Sequence, residues 1–281
     1  MSWLIGAFVF CVGAWALNAY LANSRLSGSL VIRIAIPALF GLTLLVLWEG
    51  LVRGLGVSQI ILPAPSQIAQ TFAASTDLLW VDFVQTALKG ALRGFVIGAV
   101  AAFATAVVID RSAFLTRGLL PIGNFVAALP IVGIAPILVN WFGFDWHSKA
   151  AVVVVMVFFP ILVNTVQGLR ETDAMQRDLM RTYAAGYLQT LLKLRVPAAL
   201  PFVFNGLKIA TTLALIGAIV AEYFGSPTRG MGFRISTGVG SLEIDLVWAE
   251  IAVSALVGSF FYGLVTLLEV RMTFWHPSRR G

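Results

Sequence analysis

Residues 148–169 read SKAAVVVVMVFFPILVNTVQGL: one charge, Lys149, stands near the start, and Val, Ala, Phe, Ile and Leu fill most of the rest. About 20 such residues in a helix cross the hydrocarbon layer of a bilayer, so the stretch predicts a transmembrane span. Working outward, comparable apolar runs cover residues 3–22, 33–53, 84–109, 115–141, 199–223 and 247–269. The expectation is an all-α polytopic transmembrane bundle of about seven spans. Composition agrees, since 59% of the 281 residues are hydrophobic and only 11% are charged. A soluble domain carries about 45–50% apolar residues.

Placing the C-terminus inside puts Arg25, Arg33, Arg111, Arg117, Arg170, Arg177, Arg181, Lys193, Arg195, Arg271, Arg279 and Arg280 on the cytoplasmic side. Arg53, Lys89, Arg93, Lys149, Arg229 and Arg234 then fall outside and Lys208 within a span, so the basic bias predicts N-out, C-in. This scatter through the connections explains the net charge of +6 better than a nucleic-acid partner does. All of the eight tryptophans except Trp15 lie close to predicted span ends, where indoles favour the interface. Met1-Ser2-Trp3-Leu4 lacks a basic leader, so the first apolar run reads as a retained span. The single Cys11 can build neither a disulfide framework nor a cysteine metal cluster within one chain.

Between the fifth and sixth predicted spans, Arg170 through Pro197 is long for a turn and patterned for a linker. Met175, Leu179, Tyr183, Tyr187 and Leu191 recur every four positions while Arg177, Asp178, Arg181 and Gln189 take other angles, which reads as one amphipathic cytoplasmic helix. A helix resting on lipid headgroups has the same pattern. The fourth run contains Pro121, Pro130 and Pro136, and Pro130 and Pro136 each remove an intrahelical hydrogen bond. That helix must kink or break, which membranes tolerate beside protein or a water-filled cavity. Asn124, Asn140, Asn164, Asn205 and Thr212 are candidates to line such a path, or to bond neighbouring helices. Lys208 lies about 10 Å of helix rise past Pro201, within reach of the cytoplasmic surface by snorkelling; the alternative is a charge facing the interior.

Asp178 to Pro201, DLMRTYAAGYLQTLLKLRVPAALP, resembles the EAA loop of bacterial ABC importer permeases. Asp178-Leu179-Met180 stand where that family has Glu-Ala-Ala, Ala184 where it has Gly, and Val196-Pro197 where it has Leu-Pro; Gly186 lies two residues beyond the family position. Leu62-Pro63-Ala64-Pro65-Ser66 resembles the LPSPS segment of the nitrate, taurine and alkanesulfonate branch. Leu129-Pro130-Ile131, Ala135-Pro136 and Trp141-Phe142-Gly143 resemble its proline-rich fourth span ending in WFG, and Val220-Ala221-Glu222 with Gly230-Met231-Gly232 its AE and GLG segment. The ending Glu269-Val270-Arg271-Met272-Thr273-Phe274-Trp275-His276-Pro277 is similar to permeases for pyrimidine-type thiamine precursors.

The resemblance implies a type I importer permease of the bacterial inner membrane. Residues 1–32 would then be an added N-terminal helix and connection, and residues 33–281 the permease domain with a coupling loop at 170–197. It implies a second permease subunit, identical or paralogous, a cytoplasmic ABC ATPase dimer carrying ATP and Mg, and a periplasmic or lipid-anchored substrate-binding protein. Asp178, Leu179, Met180, Tyr183, Ala184, Gly186, Tyr187 and Pro197 would couple to the ATPase, whereas Asn124, Pro130, Pro136, Asn140, Asn164, Asn205, Lys208, Thr212 and Glu222 are candidates for the path. No cofactor is expected in this chain. It lacks GxxxxGK[ST] and HExxH, and only His147 and His276 are present, so the expectation is a transporter rather than an enzyme. An ion-coupled secondary carrier is the rival class. Such carriers use acidic groups or broken helices near the midplane; Asp110, Glu222, Glu250 and Glu269 all read as interfacial here, and the proline-interrupted fourth run keeps the rival open.

Overall fold

A computed structural model describes residues 2–24, 28–225 and 228–275; within these, nothing is said of the side chains of residues 113, 116, 119, 120, 124 and 127. The described residues are helical throughout their ordered elements: α1 (Ser2–Asn23), α2 (Leu30–Leu55), α3 (Pro65–Ala74), α4 (Thr76–Phe83), α5 (Leu92–Asp110), α6 (Ala113–Ala127), α7 (Ile131–Phe142), α8 (Trp146–Leu169), α9 (Ala174–Thr182), α10 (Tyr187–Thr190), α11 (Val196–Gly225), α12 (Met231–Ser241) and α13 (Ile244–Met272). π-helical turns at Val84–Ala91 and Leu191–Arg195 join α4 to α5 and α10 to α11.

Among the described residues six continuous helices are long and apolar enough to cross a membrane: Ser2–Asn23, Leu30–Leu55, Thr76–Asp110, Trp146–Leu169, Tyr187–Gly225 and Ile244–Met272. The run predicted as a single span over 115–141 is instead two shorter helices, α6 and α7. Ala128 and Leu129 donate back to Phe125 and Val126 at 3.1 Å in a tight final turn, and Pro130, with φ −68° and ψ 110°, caps α7. Leu129 precedes a proline and is steered away from helix, so the break falls there rather than at Pro136, which lies inside α7. The third and sixth spans begin well before their predicted starts because both π turns continue a helix that the apolar runs do not cover. In the second of these, the N–H of Val196 reaches back five residues to Leu191. The extra residue accommodates Pro197, which has no N–H to give.

The chain divides into two compact units. The first comprises the described residues of 1–78 with 237–251. In it α1 lies along α2 on small residues: a Cβ added to Gly50 would sit 2.2 Å from that of Ala7, and one on Gly54 would sit 2.4 Å from Leu4 Cγ. Close backbone approach of this kind holds helices together where solvent supplies no hydrophobic drive. Glu49 accepts from the N–H and hydroxyl of Ser66, at 3.0 and 2.7 Å, so the Pro-Ser start of α3 receives a carboxylate at its positive end.

The second unit, the described residues of 79–236 and 252–281, has its core among α5, α8 and α11. Added Cβ atoms on Gly94 and Gly98 would lie 2.5 and 2.4 Å from Val153 and Val157, and one on Gly217 would lie 2.9 Å from Met156 Sδ. Gly206 faces Ile161 and Asn164 across the same seam. Three spans thus meet at distances that a methyl group would not permit.

Candidate functional site

The loop between α8 and α11 is two helices at an angle rather than the single helix its four-residue period predicts. α9 ends at Thr182 in a reversal: the N–H of Ala184 donates to Arg181 at 2.8 Å and that of Ala185 to Met180 at 3.0 Å. This is a Schellman pair, and its left-handed position belongs to Ala184, at φ 51°. An L-residue there costs about 1–2 kcal/mol, which explains why glycine is the commoner occupant. Gly186 then starts α10, its N–H held at 3.2 Å by Gln189. Met175, Leu179 and Tyr183 stand on one side of α9 with 83%, 55% and 76% of their surface exposed. Asp178 pairs with Arg181 at 3.1 Å in solvent, and Met180 is half-buried. An uncovered stripe of large apolar side chains on a helix with no neighbour over it is a docking surface in form.

The loop is bolted to three spans at one point. Arg195 lays its guanidinium across Asp110, with Nη1–Oδ2 at 2.5 Å and Nη2–Oδ1 at 2.7 Å, and also donates to the carbonyl of Leu169 from Nε at 3.0 Å and Nη2 at 2.7 Å. Arg111 stacks over the ring of Tyr187, 4.3 Å from its centroid, and the Tyr187 hydroxyl lies 3.4 Å from Asp110. The ends of α5 and α8 and the start of the α11 rod are therefore joined to α10 at this one cluster. Pro197, expected to close the loop, sits one residue inside α11.

Of the path candidates, Asn164 and Asn205 meet, with Nδ2 of Asn205 donating to Oδ1 of Asn164 at 3.0 Å. Asn205 and Thr212 are exposed on α11, and Pro136 and Asn140 are exposed one turn apart on α7, with Pro130 exposed at its head. The side chain of Asn124 lies outside the described residues. Lys208 does not stand alone: it pairs at 2.9 Å with Glu269, three residues before the end of α13.

Glu222, read from the sequence as interfacial, is wholly enclosed by protein. Its Oε2 accepts from the Thr86 hydroxyl at 2.6 Å and from the N–H of Gly232 at 3.2 Å. Asp82, also buried, accepts from the N–H of Gly230 at 2.6 Å and from Arg234 at 2.9 Å, while Thr86 accepts from the N–H of Met231 at 2.8 Å. Lys149, assigned to the outer surface by its place in the chain, is buried too and donates to the carbonyls of Phe144 and Gly225 at 2.5 and 3.3 Å. Glu250 is a third buried acid. Acids buried in protein do not by themselves separate an ATP-driven permease from an ion-coupled carrier.

What decides between the classes is kinship. Residues 94–274 match the family of inner membrane components of binding-protein-dependent transport systems. The chain belongs to this family. As a binding-protein-dependent permease it is similar to the formylaminopyrimidine transport permease protein ThiX of Halalkalibacterium halodurans, 31% identical over 243 residues that cover 86% of this chain and 96% of that protein. It is also similar to the riboflavin transport system permease protein RibX of Chloroflexus aurantiacus, 32% identical over 237 residues (84% of this chain, 88% of that protein). The putative aliphatic sulfonates transport permease protein SsuC of Bacillus subtilis is 30% identical over 242 residues, covering 85% and 86%. It is a multi-pass protein of the bacterial inner membrane, and its family is one of transport permeases rather than enzymes. Asp82, Thr86, Lys149 and Arg234 escaped the reading of the sequence; the one signal was the AE and GLG likeness, which placed Glu222 and Gly230–Gly232 in one motif without saying that they touch.

Proposed function

We propose that this chain is the solute-conducting subunit of an ATP-driven importer, working as a pair with an identical or paralogous permease. A cytoplasmic ABC ATPase dimer, which carries the ATP and Mg, docks on α9, and a periplasmic or lipid-anchored binding protein supplies the cargo from the outer face. The observation that carries this reading is the uncovered Met175, Leu179 and Tyr183 stripe on a short helix in a loop whose far end is bolted by Arg195 to the ends of two spans. A groove in a soluble ATPase that closes on α9 can pull on α5, α8 and α11 together. The C-terminus-inside orientation that puts α9 in the cytoplasm follows from the basic bias of the connections. The uncovered polar positions Asn205 and Thr212 on α11 and Pro136 and Asn140 on α7 are the surfaces proposed to face the path. The cargo is a small organic or inorganic solute, a sulfonate- or nitrate-type anion or a pyrimidine-type thiamine precursor, a reading supported by relatives named for formylaminopyrimidine and aliphatic sulfonates. Selection among such solutes rests with the binding protein.

The test is the double variant Leu179→Asp, Tyr183→Asp. It places two unpartnered charges in a contact that must be dry, which should abolish docking. The spans are untouched, so membrane insertion should be normal, while ATPase co-purification and solute uptake should both be lost. Wild-type ATPase capture and uptake in this variant would overturn the docking role of α9.

A further inference from the structure

The geometry points to a second mechanical joint at the opposite end of α11, built from Glu222, Thr86 and Asp82, which makes α12 follow the motion of the cytoplasmic loop. The inference rests on the coupling role proposed for α9 and extends it to the far side of the membrane.

α11 runs without a break from Val196 to Gly225, and about 40 Å of helix separates Arg195 from Glu222. That exceeds the roughly 30 Å hydrocarbon thickness, so the two residues sit at opposite faces. Arg195 gathers the helix ends on one side, and Glu222 does the same on the other. Its carboxylate joins α11 to the π turn through Thr86 and to the first residues of α12 through Gly232. Thr86 closes the triangle by accepting from Met231, and Asp82 fastens Gly230 and Arg234 from the neighbouring turn.

Three features mark a fixed joint rather than ordinary packing. First, successive backbone N–H groups, those of Gly230, Met231 and Gly232, are all held by side chains from other elements, so the start of α12 has no freedom of its own. Secondly, the backbone is shaped for the carboxylate: Gly230 takes φ 118°, and a Cβ there would lie 2.4 Å from Glu222 Oε2. Thirdly, Thr86 lies four residues past Asp82, on the same face of the rod, inside a π turn that begins at Val84, and such turns gather at sites of function. Of the two buried acids, Asp82 pairs with Arg234 at 2.9 Å, and Lys149, held by the carbonyls of Phe144 and Gly225, lies within electrostatic reach of Glu222. A carboxylate in such a place is over-specified for holding helices that small residues already pack.

Thr86→Val keeps the shape of the side chain and removes the hydroxyl that links all three elements; Thr86→Ser keeps the link. Each is made in the assembled permease–ATPase complex in lipid vesicles, with solute uptake and ATP hydrolysis measured in the same sample. We expect Thr86→Val to co-purify with the ATPase and to hydrolyse ATP, with uptake per ATP reduced roughly tenfold, inside the range by which mutations along a coupling network act. Thr86→Ser should retain the wild-type ratio. Asp82→Asn, which loosens the same joint through Gly230 and Arg234, should lower the ratio as well and serves where Thr86→Val assembles poorly. A wild-type ratio in both variants, or a fall in uptake matched by an equal loss of assembled complex, overturns the joint. Failure of the parent reading is seen separately, as a Leu179→Asp, Tyr183→Asp variant that keeps its ATPase.

Discussion

Replacing Arg195 by Met tests the bolt at the loop end. The side chain of Asp110 is only 4% exposed and that of Arg195 16%, and their contact is bidentate. Removing the cation leaves a buried carboxylate whose remaining named partner is the Tyr187 hydroxyl at 3.4 Å. Breaking a buried pair from one side costs about 3–5 kcal/mol. The Leu169 carbonyl also loses both of its Arg195 donors, worth about 1 kcal/mol more. The residual exposure of Arg195 lets water reach part of the hole, which puts the expected loss near the lower end of the sum, about 4 kcal/mol. Removing both charges in Arg195→Met, Asp110→Asn should return most of that loss, because no unpaired charge remains. Equilibrium unfolding in mixed detergent micelles gives both quantities, and uptake by the single variant should fall with its stability. A single variant within about 0.5 kcal/mol of wild type, the size of a surface substitution, would refute the bolt. So would a double variant as unstable as the single.

The turn at Ala184 predicts that Ala184→Gly protects the amides of Ala184 and Ala185 from hydrogen exchange by roughly 0.5–1 kcal/mol, since glycine occupies the left-handed region without strain but gains more chain entropy when unfolded. Faster exchange in Ala184→Gly than in wild type would sink the assignment of that turn. In a Cys11→Ser background, a cysteine at Ser241 should react with an impermeant maleimide in intact cells and one at Gln176 should not; the reverse pattern would invert the orientation.

Much of the fold is legible because its causes are local. An apolar run announces a span wherever it lies, and Pro130 breaks a helix by its own covalent structure, so the α6–α7 discontinuity is visible in the sequence even though a length count merges the two pieces. The turn inside the loop is not visible in the same way. The period of Met175, Leu179, Tyr183 and Tyr187 continues straight through it, because a helix reversal spends residues at close to the same rate as a helix. Only the family glycine at the place of Ala184 hinted that the chain turns there. The buried charges are the least legible. Asp82, Thr86, Lys149, Glu222 and Gly230 come from separate elements, and each taken alone looks like the polar flank of a span.

These two polar joints make physical sense together with the glycines between them. Lipid tails are as apolar as leucine, so helices in a bilayer gain nothing by hiding apolar surface from one another. What makes α5, α8 and α11 one body must be contact at short range, which Gly94, Gly98, Gly206 and Gly217 allow, and directional bonds at the ends, which Arg195 and Glu222 supply. Apolar packing alone would leave α11 able to slide or turn against its neighbours at little cost. A directional bond at each end of α11 opposes both motions, so under the proposed coupling a pull on α9 would displace the whole rod rather than flex its end.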